Sequence, residues 1–120
     1  MPVLARMFEA AGISTVLVTN MPVWAERIGV PRTHAVELPF GHLLGRPGDA
    51  AQQTRIVRQA LEVLERADAP GVIVHSDERW PGTEEEAQRA SHPESPPPIG
   101  AEMGRHLRSF FRALKRDRRD

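Results

Sequence analysis

Apolar positions along the chain switch between a helical and an extended rhythm, and the switches mark the expected elements. Leu4, Met7, Phe8 and Ala11 share one helical face and predict a helix over residues 3–11, with Gly12 where a helix C-terminal glycine belongs. Residues 13–18 are rich in β-branched and apolar side chains without regular polar alternation, which predicts a strand covered on both faces. Thr19 and Asn20 offer side-chain oxygens to cap a helix over residues 21–28, with Pro22 in its first turn and Gly29 and Pro31 at its end. Residues 34–38 form a second strand candidate, shorter and more polar, and so are expected at a sheet edge.

Asp49 is placed to cap the longest helix, which the pattern carries to about Ala67. Its apolar stripe reads Ile56, Val57, Ala60, Leu61 and Leu64, with Arg55, Arg58, Glu62 and Glu65 largely outside it. The run Asp68-Ala69-Pro70-Gly71 stops this helix, and Val72-Ile73-Val74 is a third, very short strand. The alternation of helix and strand predicts an α/β fold over residues 1–76, a small layered Rossmann-like half-domain with a short, mostly parallel sheet. No strand precedes the opening helix, so the expectation is the tail half of a larger αβ unit.

Beyond Ser76 the composition changes. Asp77, Glu78, Glu84, Glu85, Glu86 and Glu94 lead into Ser95-Pro96-Pro97-Pro98, and residues 77–98 are expected to be an acidic, Pro-rich linker. Within it only Trp80, before Pro81, is suited to pin the segment onto the core. Residues 99–120 return to helical spacing with Met103, Leu107, Phe110 and Leu114, surrounded by arginines and Lys115. This basic amphipathic helix could dock on a partner, meet an anionic surface or pack on its own domain; partner docking or self-packing is the expectation.

The length of 120 residues suits one hydrophobic core, and 27% charged with 40% hydrophobic residues suits a soluble globular chain. The formal net charge of zero supplies no global field toward nucleic acid or membrane, and two Trp, four Phe and no Tyr leave little for base stacking. Zero cysteines exclude disulfides, thiolate nucleophiles and zinc-thiolate or iron–sulfur ligation by this chain. No apolar run approaches the roughly 20 residues that span a bilayer, and residues 1–6 lack a signal-peptide pattern. These features make a cytoplasmic protein the expectation; no cofactor is expected, and no histidine pair has helical zinc spacing, so His34, His75, His92 and His106 read as solvent-facing or structural.

Candidate chemistry concentrates in Phe40-Gly41-His42-Leu43-Leu44-Gly45-Arg46-Pro47. Gly41 and Gly45 would let backbone amides approach a ligand, His42 would supply a proton or hydrogen bond, and Arg46 a fixed positive charge. The same residues also satisfy a purely structural reading, in which the glycines make turns and His42 is hydrogen-bonded in place. Thr19 and Asn20 follow the first strand, where open α/β sheets bind ligands, although a simple N-cap is the commoner role for any single Thr or Asn. Parallel neighbouring strands would set this turn and the 40–47 loop on one rim.

Read as a block, residues 12–64 resemble the C-terminal region of the selenoprotein B family, the substrate-specific subunits of glycine, sarcosine and betaine reductases, with the related D-proline reductase subunit. The resemblance rests on the segments EAAGISTVLVT, GHLLGRP and QQTRIVRQALEVLE, on Pro22, and on the Gly29/Arg32 spacing. The family's loop reads approximately Pro-His-Pro-Leu-Gly-x-Pro; here His42, Leu44, Gly45 and Pro47 match, while Gly41 and Leu43 replace the two prolines. The resemblance implies reductive cleavage of a small amino acid or N-substituted derivative through a selenocysteine or cysteine that this chain lacks. It therefore implies a small reductase subunit in a hetero-oligomer. The partner would carry the thiol or selenol, while this chain contributes catalytic His42 and substrate-binding Thr19, Asn20, Gly41, Gly45 and Arg46. The alternative is a non-catalytic α/β binding or assembly module docking through its C-terminal helix.

Overall fold

The computed structural model describes residues 1–92 and Leu107. Four helices and three strands alternate as α1 (Pro2–Ala10), β1 (Leu17–Thr19), α2 (Pro22–Ile28), β2 (Arg32–Glu37), α3 (Ala50–Arg66), β3 (Val72–Arg79) and α4 (Glu84–Ser91). The strands form one parallel sheet in the order β1-β2-β3. Leu17 registers with Thr33 and Thr33 with Ile73, so the three strands start nearly level. The α/β fold with a parallel sheet is thus as the alternation predicts.

Adjacent residues of β1 divide the core between the two faces of the sheet, because successive strand side chains point opposite ways. Leu17 packs with Ala5 of α1, Ala25 of α2 and Val30, whereas Val18 joins Val36, Leu38 and Ile56 of α3, with Leu43 and Trp80. The sheet is therefore sandwiched, with α1 and α2 on one side and α3 on the other.

The first strand is shorter than residues 13–18 and lies half-buried at an edge. Thr15 explains the late start: its backbone N–H and its hydroxyl both donate to the Glu9 carboxylate, which also accepts from Arg32 at 2.9 Å. Thr15 is thus spent tying α1 to the foot of β2. The backbone N–H of Thr15, helped by its hydroxyl and by Arg32, holds the Glu9 carboxyl below its usual range.

The strand expected at an edge is the central one. Thr33, His34, Ala35 and Val36 are all buried, since β2 pairs on both sides and the polar residues occupy interior positions. The third strand runs on to Arg79, after a bulge opposite Ala35 and Glu37. Asp49 caps α3 by accepting from the Gln52 N–H at 2.9 Å. The buried face of α3 is Gln52, Ile56, Ala60 and Val63; Val57 and Leu61 are exposed. The stripe is rotated because a glutamine, not a hydrophobe, occupies its first inward position.

The stretch expected to be a linker instead completes β3 and then forms α4. Thr83 and Glu86 make a reciprocal capping box: Thr83 Oγ1 accepts from the Glu86 N–H, and the Glu86 carboxylate accepts from the Thr83 N–H. Glu84, Glu85 and Glu86 lie in its first turn, where negative charge suits the helix dipole. Local capping thus outweighs the unfavourable acidic composition. Residues 93–98, and the expected helix over 99–120 apart from Leu107, lie outside the described residues. Among the described residues no helix is long and apolar enough to cross a membrane.

Burial in the central strand pushes the His34 imidazole below its ordinary pKa of 6.5, and the nearby Gln59 amide opposes this only in part. The unfolded chain therefore takes up a proton near pH 6.5 that the folded chain refuses, so this contribution to stability is present above that pH and lost below it. Glu9 and Glu78 act with the same sign, but only below their ordinary value of 4.5. Denaturation midpoints should fall between about pH 7 and pH 5, and His34→Gln should flatten that slope. A midpoint unchanged across this interval in the parent chain would contradict a buried neutral imidazole.

Candidate functional site

A cleft of about 730 Å³ opens beyond the carboxyl ends of the three strands. The chain after each strand supplies part of it: Asn20 after β1, Leu38, Pro39 and Phe40 after β2, and Trp80 after β3. The parallel pairing brings these segments to one rim, the place where open α/β sheets receive ligands. Helix α4 forms the far wall through Ala87, Gln88 and Ser91. The Phe40 N–H donates to Ser91 Oγ at 3.2 Å, which fastens that wall to the loop after β2.

Asn20 does not cap α2. Its Nδ2 donates to the Leu38 carbonyl at 3.2 Å, tying the end of β1 to the end of β2 and setting Asn20 on the cleft. Thr19 Oγ1 accepts from the Met21 N–H at 3.0 Å, so the hydroxyl stabilises the turn. Helix α2 is left with Met21 as an N-cap that makes no side-chain hydrogen bond, and Pro22 removes one of the N–H groups that would need one.

The 40–47 loop descends through consecutive turns, with the His42 N–H donating to Pro39 O at 3.0 Å and the Gly45 N–H to His42 O at 2.8 Å. His42 packs its ring against Trp80 at 5.4 Å between centroids, tilted by 46°. His42, Gly41 and Gly45 line a separate groove of about 430 Å³, while Trp80 lines the cleft. The structure therefore does not bring His42 and Asn20 into one cavity. His42 reaches the cleft only through the indole it supports.

Gly45 and Arg46 are held by Gln52. Its Oε1 accepts from the Arg46 N–H at 3.0 Å and its Nε2 donates to the Arg79 carbonyl at 2.8 Å. Gln52 is only 3% exposed. It thus clamps the loop to the end of β3, immediately before Trp80. Gly45 has φ +100°, and a Cβ there would lie 2.6 Å from Gln52 Oε1, so this glycine is required by the close approach. The Arg46 side chain is exposed, and only its backbone groups take part in the clamp.

Two cleft residues were not assigned to a site by the sequence pattern, although Trp80 packs on the core as expected. Arg79 turns its guanidinium toward Glu37 at 3.4 Å on the open rim, and Trp80 supplies an aromatic wall. The Thr83-x-x-Glu86 capping box is the signal that could have extended the fold this far. Asn20, Arg79 and Gln88 offer hydrogen-bonding groups, Glu37 and Glu84 add carboxylates, and Phe40 and Trp80 offer apolar surface. This combination suits a small polar molecule with a short carbon skeleton. Among the described residues no cluster of three or more His, Asp or Glu could hold a metal ion. Comparison with protein-family models, curated proteins and solved structures gives no match.

Proposed function

We propose that this chain is a small subunit of a reductase complex resembling the glycine, betaine and D-proline reductases. It completes a substrate site whose thiol or selenol nucleophile stands on a partner chain. The observation that carries this reading is the cleft at the strand ends: it gathers Asn20, Arg79, Phe40 and Trp80, while the chain contains no cysteine. In this reading Arg79 and Asn20 hold the carboxylate of a small amino acid or its N-substituted derivative. Trp80, backed by His42, limits the length of the carbon skeleton. Attack on carbon needs a selenolate or thiolate, polarisable and acidic enough to react near neutral pH, and it comes from the partner.

A second reading, a non-catalytic assembly module, draws support from a different surface. Val3, Met7, Ile13, Val23 and Trp24 are all more than half exposed on α1, α2 and the segment between them. An apolar surface of this kind is characteristic of chains that associate. The helix expected to dock in that reading lies outside the described residues.

Co-purification from the native cell, followed by turnover assays on the complex, separates the two readings. Asn20→Ala and Arg79→Ala should preserve assembly and reduce turnover at least tenfold, about the effect of a lost charge-assisted hydrogen bond to the substrate. His42→Ala should give a smaller loss. Full turnover in both cleft variants would refute the shared site and leave the assembly module. Isolation of the chain without any thiol- or selenol-bearing partner would count heavily against the reductase reading.

A further inference from the structure

One side of α1 meets the rest of the chain and the other does not. Ala5 packs with Ala25 and Val30, and Arg6 beside it donates from Nη1 to the Ile28 carbonyl at 3.0 Å, so this side faces α2 and the sheet. The opposite side carries Val3, Leu4, Met7 and Phe8 in one helical stripe, each between 45% and 62% exposed. Ile13 in the segment before β1 and Trp24 on the neighbouring α2 are both more than half exposed. These six residues leave on the order of 650 Å² accessible, against the roughly 600–1,000 Å² that each partner gives to a stable protein interface. Both charged side chains of α1 are already engaged inside the chain: Arg6 by Ile28, and the Glu9 carboxylate by Thr15 and Arg32. The Arg27 guanidinium lies 5.7 Å from the centroid of the Trp24 ring. The stripe itself is thus matched by another apolar surface and not by a charged one.

We propose that this surface is the interface of a homodimer, in which the α1 helices of two copies pack antiparallel about a twofold axis. A second copy presents the same apolar area. The formal net charge of zero leaves no net repulsion between copies. Helix α1 also has no acidic residue in its first turn and no basic residue in its last, so neither end of its dipole is met within the helix. Antiparallel pairing sets the positive end of each helix beside the negative end of the other. Twofold symmetry makes the contacts reciprocal. With the axis midway along the stripe, Leu4 of each copy meets Met7 of the other, and Val3 meets Phe8. None of these residues lines the cleft, so the interface leaves both clefts open and holds under either reading of the cleft.

Sedimentation equilibrium of the full chain, from micromolar to millimolar concentration, should show a reversible monomer–dimer equilibrium. Leu4→Glu and Met7→Lys each put a charge into the apolar interface, and each alone should weaken dimerisation at least tenfold. Both positions are open to solvent in a single copy, both new side chains suit a helix, and each charge matches its end of the α1 dipole. The far-UV circular dichroism of both variants should therefore equal that of the parent. An equimolar mixture of the two variants should dimerise again. In the mixed pair the introduced carboxylate faces the introduced ammonium, and the remaining Met7 faces the remaining Leu4. Glu62→Lys, on α3 across the sheet, should leave the equilibrium unchanged. A chain that stays monomeric at millimolar concentration overturns the proposal and leaves the face to another occupant. So does a dimer that tolerates both single substitutions, or a mixture that fails to recover it.

Discussion

Gln52→Ala should lower the free energy of unfolding by roughly 2–3 kcal/mol, although the side chain removed is polar. The loss leaves the Arg46 N–H and the Arg79 carbonyl without their partner, at about 1–3 kcal/mol for each fully buried group and less where water can enter. Gly45→Ala should be destabilising for a related reason. Its φ of +100° costs about 1–2 kcal/mol for a residue with a Cβ, and that Cβ meets Gln52 Oε1. The two effects should not add. In the Gln52→Ala background the collision disappears and only the backbone strain remains, so a double-mutant cycle by urea denaturation should show a coupling of at least about 0.5 kcal/mol. Strict additivity would mean that the loop does not rest on Gln52. The Gln52→Ala chain should also lose order at Trp80, because the clamp ends one residue before it.

Ile56→Ala should cost about 2–5 kcal/mol, the range for emptying a well-packed interior position. Ile56 is fully buried and packs with Val36 and Leu38, with Val18, Leu43 and Trp80 around them. The variant should also report on the cleft, because Trp80 forms part of its wall. In a Trp24→Phe background, fluorescence comes from Trp80 alone, and Ile56→Ala should shift its emission to the red as water gains access. Ile56→Val should recover most of both effects. An unshifted emission accompanied by a full loss of stability would mean that the indole is held by His42 and α4 without help from the core.

The elements were legible wherever local chemistry defined them. Asp49 at the start of α3, Gly29 in the left-handed conformation at the end of α2, and Gly12 after α1 mark their boundaries through the residues' own conformational preferences. Errors arose where a residue's partner is distant in sequence. Thr15 lies in a segment that reads as strand, but Glu9 captures it. His34 opens the strand expected at an edge, yet it is buried because β1 and β3 flank β2. The stripe on α3 was misplaced through Gln52, whose inward role depends on Arg46 and Arg79. Helix α4 is a different kind of miss: its capping box was written locally, and the acidic composition around it argued for a linker.

The candidate site divides along the same line. Asn20 was legible because the end of a parallel strand is a fixed place in this architecture. Its hydrogen bond to Leu38, and the company of Arg79 and Trp80, were not, because they join residues from three separate strand ends. His42 and Gly45 stood out by residue type, but type does not fix direction. The turns of the loop aim His42 at Trp80, and Gln52 requires Gly45.

By itself the sequence determined the alternation of helices and strands, the parallel α/β class, the helix boundaries at Asp49 and Gly29, and the absence of any thiol chemistry. Each of these follows from side-chain periodicity, backbone preference or composition, which act over a few residues. The tertiary structure decided which strand is central, that Asn20 and His42 face different cavities, and that His34 is buried. These depend on pairing and packing between segments 18 to 51 residues apart, and such contacts leave no periodic trace along the chain.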